Sequence, residues 1–244
     1  MKKFNFSKPS KAGVILYLKK VAICTFSIFL LGLSTAICTK AGYGTNSIAV
    51  LFNGVAKVTG LRVGDAANIL NTTLMIAAFI INRKYISTGT IIYAVAMGWF
   101  INWGIGFYNF LAIPHTLVWR SVMATFGCGL FFLALSMFVA ISIGVNPWVA
   151  FSLIFRDKFK QPFGRMKMAI DLTALAIGWL LGGKVGVVTV VAAFACGPIV
   201  QRFSEFFEKV FNKLLKIGLE ENTEPVPVPE LESVPERESK PELV

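Results

Sequence analysis

Between Lys20 and Lys40 lie 19 consecutive uncharged residues, Val21 to Thr39, and no other feature restricts the chain as tightly. At 1.5 Å per residue, crossing a hydrocarbon core of about 30 Å takes roughly 20 residues, with about 17 as a lower limit. A segment in lipid must satisfy its own backbone polar groups, so such a run has to be helical. It is also longer than the core of an ordinary secretory signal, and it reads as an uncleaved span. The same ruler finds Ala66 to Asn82, Ile86 to about Phe107, Ser121 to about Ile143, about Lys167 to Gly183, and Val185 to about Phe203. Six spans in 244 residues agree with a content of 55% hydrophobic and only 15% charged residues, far from that of a water-soluble domain.

The net charge of +11 has to be split by position before it means anything. Eight of the 13 acids fall after Leu219, leaving 22 Lys and Arg against five acids in residues 1–218. These basic residues flank apolar runs, where they face lipid headgroups and set topology, so the expected partner is the lipid bilayer and nucleic acid is not. Cys24, Cys38, Cys128 and Cys196 all lie inside apolar runs without C-x-x-C spacing, which suggests neither a metal site nor a disulfide framework. His115 is the only histidine, which argues against a His-based metal cluster or hydrolase. No cofactor is expected.

The uncharged run from Ser121 to Phe155 has 35 residues, too many for one crossing and too few for two with a turn. Its excess, "GVNPWVAFSLIF", resembles "AGYGTNSIAVLFNGVAKVTG" at a separation of 100 residues. Gly44 and Asn46 pair with Gly144 and Asn146, Gly64 with Gly164, Asn71 with Asp171, Thr73 with Thr173 and Lys84 with Lys184; after one deletion, Thr90 pairs with Thr189. The order of elements repeats as well: long span, Gly/Asn break, short amphipathic piece, two more spans. Ile48, Leu51, Phe52 and Val55 line one face of the first short piece, and Trp148, Phe151 and Phe155 one face of the second. Asn46 and Asn146 suit helix N-caps.

If the short pieces do not cross, each half holds three spans and the second half is inverted relative to the first. The expected fold is therefore all-α, six transmembrane helices as a 3+3 inverted repeat, each half with a short broken or amphipathic helix after its first span. This places 17 basic residues inside and five outside (Lys40, Lys57, Arg62, Arg120, Lys184). An eight-span alternative gives 18 and four, so charge does not separate the two. Length favours the six-span reading, since Gly144 to Phe155 as a helix stretches only about 18 Å. The organisation expected is a basic cytoplasmic N-terminus (1–20), two membrane repeats (21–111 and 112–206), an amphipathic cytoplasmic helix (207–218) and a disordered acidic tail (219–244).

"IGWLLGGKVGVVTVVAAFACGPIVQ", preceded by Asp171 in "RMKMAIDLTALAIGW", resembles the C-terminal signature of the YczE/YitT-like bacterial membrane proteins. "GYGTNSIAVLFNGVAKVTGLRVG" is similar to the family's Gly-rich opening, and the resemblance covers about Leu30 to Phe206. Two departures stand out: Gly44-Thr45-Asn46 lacks the Pro-Trp-Asp often found there, and Asp171 replaces a more usual glutamate. The resemblance implies a location in the bacterial cell membrane; charge puts both termini in the cytoplasm. The family is functionally uncharacterised, so no activity carries over.

Asp171 is the sharpest candidate residue, because a carboxylate at mid-depth costs about 2.5 to 3.5 kcal/mol on insertion scales. Either it binds a proton or cation together with Asn71, or it is an interfacial carboxylate paired with Arg165 or Lys167. Asn46, Asn146, Asn68, Thr73 and Thr173 could line a solute path, or hydrogen-bond neighbouring helices. Gly42, Gly44, Gly144, Pro147, Gly182, Gly183, Gly197 and Pro198 mark the breaks and hinges, and broken helices in both halves point to a central site. Two function classes remain: a small-solute carrier or channel, and a non-transporting scaffold or accessory subunit that recruits cytoplasmic proteins. An enzyme is not expected, and a homo-oligomer stays open.

Overall fold

The structure, a computed structural model, describes residues 11–112, 114 and 116–215. His115, the basic residues before Lys11 and the acidic tail lie outside the described residues. The chain forms α1 (Lys11–Ala41), α2 (Ser47–Thr59), α3 (Val63–Ile81), a 3-10 turn (Arg83–Tyr85), α4 (Thr88–Phe110), α5 (Leu117–Ala140), α6 (Pro147–Phe159), α7 (Phe163–Leu180) and α8 (Val187–Leu215). No strand occurs among the described residues.

Among the described residues five helices are long and apolar enough to cross a membrane: α1, α3, α4, α5 and α8. The segment expected as the fifth span forms helix α7, whose 18 residues include Arg165, Lys167 and Asp171 and fall short of the apolarity of the other five. At the C-terminal end a separate amphipathic helix does not form. Instead α8 runs unbroken through Pro198 to Leu215, and Phe211, 7% exposed, joins the main core. Residues 216–218 lie outside the described residues.

The core explains the order of packing. Ile28 and Leu31 of α1, Phe52 of α2 and Ile101 of α4 are all essentially inaccessible, and α1 sits against both α4 and α5. Helix α8 lies on α5, as α4 lies on α1. The short helices cross over, with α2 packed on α7 and α6 on α3.

Helices α3 and α4 approach so closely that a Cβ on Gly64 would stand 2.0 Å from the Gly98 carbonyl oxygen, and one on Gly98 1.9 Å from that of Gly64. A reciprocal clasp holds them: the Gly98 N–H donates to Asn68 at 2.8 Å and the Gly64 N–H to Asn102 at 3.0 Å. The Asn102 amide in turn donates to Asp65 at 2.8 Å, and Asp65 is paired with Arg62 at 2.8 Å.

Candidate functional site

The α1–α2 break is built by backbone that few side chains tolerate. Gly42 and Gly44 adopt φ of +77° and +91°, in the left-handed region open to glycine. At Gly44 space is equally short, since a Cβ would lie 2.4 Å from Thr189 Oγ1. The chain can then turn into α2, whose first turn is capped by Asn46 accepting from the Ala49 N–H at 2.9 Å. The same break docks on the α7–α8 connection, where the Val188 N–H donates to the Tyr43 carbonyl at 3.1 Å. Near the other end of α2, Lys57 Nζ reaches back to the Gly182 carbonyl at 3.5 Å. Helix α2 thus starts and finishes on residues 182–189.

Between α1, α2 and this connection lies an open recess of about 230 Å³. Its walls include Thr39, Asn53, Lys57, Gly182, Gly183 and Lys184. Asn53 donates to Thr39 Oγ1 at 3.3 Å and to the Ala49 carbonyl at 2.8 Å. Cys38 and Thr45 line both the recess and a second cavity of about 10 Å³, near the lower limit for one water molecule. The second cavity is bounded by Ser34, Thr35 and Asn46 among others, and the Thr35 hydroxyl, 2% exposed, has no hydrogen-bond partner.

The recess is electropositive. Among the described residues the ion pairs are Arg62–Asp65, Arg156–Asp157 and Lys167–Asp171, and none uses Lys57 or Lys184. Among the described residues no carboxylate lines the recess.

The break between α5 and α6 is built in a comparable way. Ser142 takes the left-handed conformation with φ of +52°, and a Cβ on Gly144 would meet Ser87 Oγ at 2.0 Å. Thr90 Oγ1 donates to the Val145 carbonyl at 2.7 Å, Asn146 caps α6 by accepting from the Val149 N–H at 2.8 Å, and Pro147 occupies the first turn. At the far end of α6, the hydroxyl of Tyr85 donates to Asp157. Arg156 donates to Asp157 at 2.9 Å and to the Tyr85 hydroxyl at 3.2 Å. Helix α6 therefore starts and finishes on residues 85–90. Tyr85 is 2% exposed, and burial followed by the adjacent carboxylate pushes its phenol up from the usual tyrosine value. Hydrogen bonds from Tyr85 and then Arg156 hold Asp157 below the usual carboxylate range, against the opposing effect of burial.

The residues singled out in the sequence are distributed unevenly around this arrangement. Asn46 lines the small cavity, and Gly42, Gly44, Gly182 and Gly183 border the recess. Asp171 is half-buried and paired with Lys167 one turn away. It does not meet Asn71, which is fully buried and accepts from Trp148 Nε1 at 2.9 Å, its own Nδ2 unpartnered. Asn68 is committed to the α3–α4 clasp. Thr73 and Thr173 are exposed on the bundle surface, Thr173 bonding within its own helix at 2.7 Å. Gly197 has nothing near it, and Pro198 sits inside continuous helix. Among the described residues no cluster of His, Cys, Asp or Glu is placed to hold a metal ion.

Sequence reasoning passed over Thr39, Asn53, Lys57 and Lys184. One signal was available: Lys57 and Lys184 are two of the five basic residues expected on the side that membrane proteins keep poor in positive charge.

Comparison with known proteins gives a family without an activity. Residues 18–205 match the Family of unknown function (DUF6198). An uncharacterized protein of Haemophilus influenzae is 23% identical over 185 residues, 76% of this chain and 83% of its own length. The uncharacterized membrane protein YczE of Bacillus subtilis is 24% identical over 147 residues, 59% of this chain and 66% of its own. No solved structure matches.

Proposed function

This chain belongs to DUF6198, a family of unknown function, and we propose that it is a small-solute carrier built as a six-span inverted repeat. The observation that carries this reading is the way each short helix engages the opposite half. Helix α2 starts and finishes on the α7–α8 connection, and α6 starts and finishes on the α3–α4 connection. A helix whose two ends touch one connection returns to the side it came from. Leaving both short helices out of the count makes each half three long helices, an odd number, which inverts the second half.

In this arrangement the Lys167–Asp171 pair lets α7 cross, since mutual neutralisation lowers the cost of charge at membrane depth. Arg83, Lys84, Arg156 and Lys158 gather at the end that holds the Tyr85–Asp157 contact, which the positive-inside rule puts in the cytoplasm. The recess then opens outward while its inner counterpart is shut, the state expected of a carrier caught facing outside. Solute would enter past Lys57 and Lys184 towards Cys38 and Thr45, and its release inward would need the Tyr85–Asp157 contact to part.

Accessibility tests this directly. With the native cysteines replaced, Asn53→Cys should react with an impermeant thiol reagent added outside intact cells. Tyr85→Phe, which weakens the inner contact, should slow that labelling by shifting the population inward. Labelling that ignores Tyr85→Phe would favour the scaffold reading, in which nothing needs to move.

A further inference from the structure

We infer that the recess between α2 and the α7–α8 connection binds a small oxyanion, a carboxylate or phosphate group, with Lys57, Lys184 and Thr39 as its ligands. This names the solute class of the proposed carrier and rests on that reading for the role of the recess.

The charge argument comes first. Lys57 and Lys184 both line one recess of about 230 Å³, and among the described residues neither has a carboxylate within ion-pair distance. Two uncompensated ammonium groups in one concavity raise the local concentration of anions and repel cations. The remaining basic residues expected on this side with described side-chain contacts are otherwise engaged. Arg62 is paired with Asp65, while Arg120 donates to the Ala41 carbonyl at 2.9 Å and lies over the Tyr43 ring at 5.1 Å.

The neutral groups are consistent with an acceptor ligand. Thr39 Oγ1 already accepts from Asn53, which leaves its own proton to donate into the recess. Gly182 and Gly183 carry no side chain to cover the Lys57 ammonium, which rests over Gly182. Lysine binds phosphate and carboxylate as a point charge without fixed fork geometry, which suits a tumbling small anion. The volume lies below the roughly 300–1,000 Å³ of clefts that hold drug-sized ligands. The occupant is therefore a small ion or the headgroup of an anionic lipid, and the same three ligands serve either.

The test uses the full chain in phosphatidylcholine nanodiscs, its thermal midpoint followed as inorganic phosphate replaces chloride at constant ionic strength. A rising midpoint is expected, with an apparent affinity roughly tenfold weaker or more in Lys57→Gln/Lys184→Gln. The unliganded midpoint of that variant should fall by no more than the long 3.5 Å contact from Lys57 to the Gly182 carbonyl contributes. A shift produced by phosphatidylglycerol in the discs, also lost in the double variant, with no response to phosphate assigns the site to a lipid headgroup. A double variant that responds as the wild type does, or a wild type unmoved by both probes, overturns the inference. If labelling of Asn53→Cys still responds to Tyr85→Phe in that last case, the carrier reading stands and only the anion assignment falls.

Discussion

Lys57 and Asp157 stand 100 residues apart near the ends of α2 and α6, and each is tied to the helix connection of the opposite half. Lys57 donates to the Gly182 carbonyl at 3.5 Å, whereas Asp157 accepts from the Tyr85 hydroxyl and from Arg156. One end is a long hydrogen bond from a flexible ammonium beside an open recess. The other is a three-residue network around a buried phenol. On the proposed reading, the flexible contact beside the recess and the tighter network opposite are what leave one side open and the other closed.

The Tyr85–Asp157 network should respond to acid. Because its hydrogen bonds hold Asp157 below the usual carboxylate range, its contribution is complete above the unfolded value near 3.9 and is lost as pH falls through the lower folded value. Between pH 5 and 8 this group should leave stability unchanged. A melting series from pH 6 down to about 3 should show wild type losing more of its thermal midpoint than Asp157→Asn.

The α3–α4 clasp should tolerate no added side chain. A Cβ on Gly98 would stand 1.9 Å from the Gly64 carbonyl oxygen, so Gly98→Ala must part the helices. We expect a loss of about 3 kcal/mol or more, at or beyond the upper end for overpacked sites. Asn68→Ala, which only leaves the Gly98 N–H without its second acceptor, should cost about 1 kcal/mol. Denaturant melts of the two variants in mild detergent would check the order.

Much of this frame was legible and some was not, for a physical reason. Helix length and the caps at Asn46 and Asn146 are local properties, written within a few residues of where they act. Partners are not local. Asn68 meets Gly98 across 30 residues and Asn71 meets Trp148 across 77, so their packing roles could not be told from ligand roles by period or spacing. Lys57 in isolation reads as the solvated residue of an amphipathic helix, and only the fold brings it to Lys184. The end of α8 misled for the opposite reason: its Phe and Lys stripe does suit a surface helix, but Phe211 finds protein to pack on.

Trp148 should matter through Asn71. Trp148→Phe removes the indole donor and leaves a buried amide whose Nδ2 is already unpartnered, at a cost of about 1–3 kcal/mol beyond the packing change. Asn71→Leu in the same chain removes the stranded polar group. The double variant should recover part of that loss, which a thermodynamic cycle over the two sites would measure.

Asp171 is the test of a residue that looks functional and is engaged structurally. Its partner Lys167 lies one turn away, so Asp171→Asn leaves that ammonium unneutralised in a crossing helix and should cost up to about 2.5–3.5 kcal/mol, the value for a lone charge at mid-depth. The phosphate response of the recess should be unchanged. A variant that keeps its fold and loses that response would return Asp171 to the solute path.

The central claim is that the recess and the Tyr85–Asp157 contact are alternately open, and distances measure this most directly. Spin labels at Val58 and Val185, exposed neighbours of Lys57 and Lys184, report the recess mouth; labels at Ile81 and Phe159, also exposed, report the opposite end. Pulsed dipolar spectroscopy in nanodiscs should give two distances for each pair. Tyr85→Phe should shorten the first pair's mean distance while lengthening the second's. A single distance at each end, the same in wild type and Tyr85→Phe, would contradict the account and leave a rigid membrane scaffold.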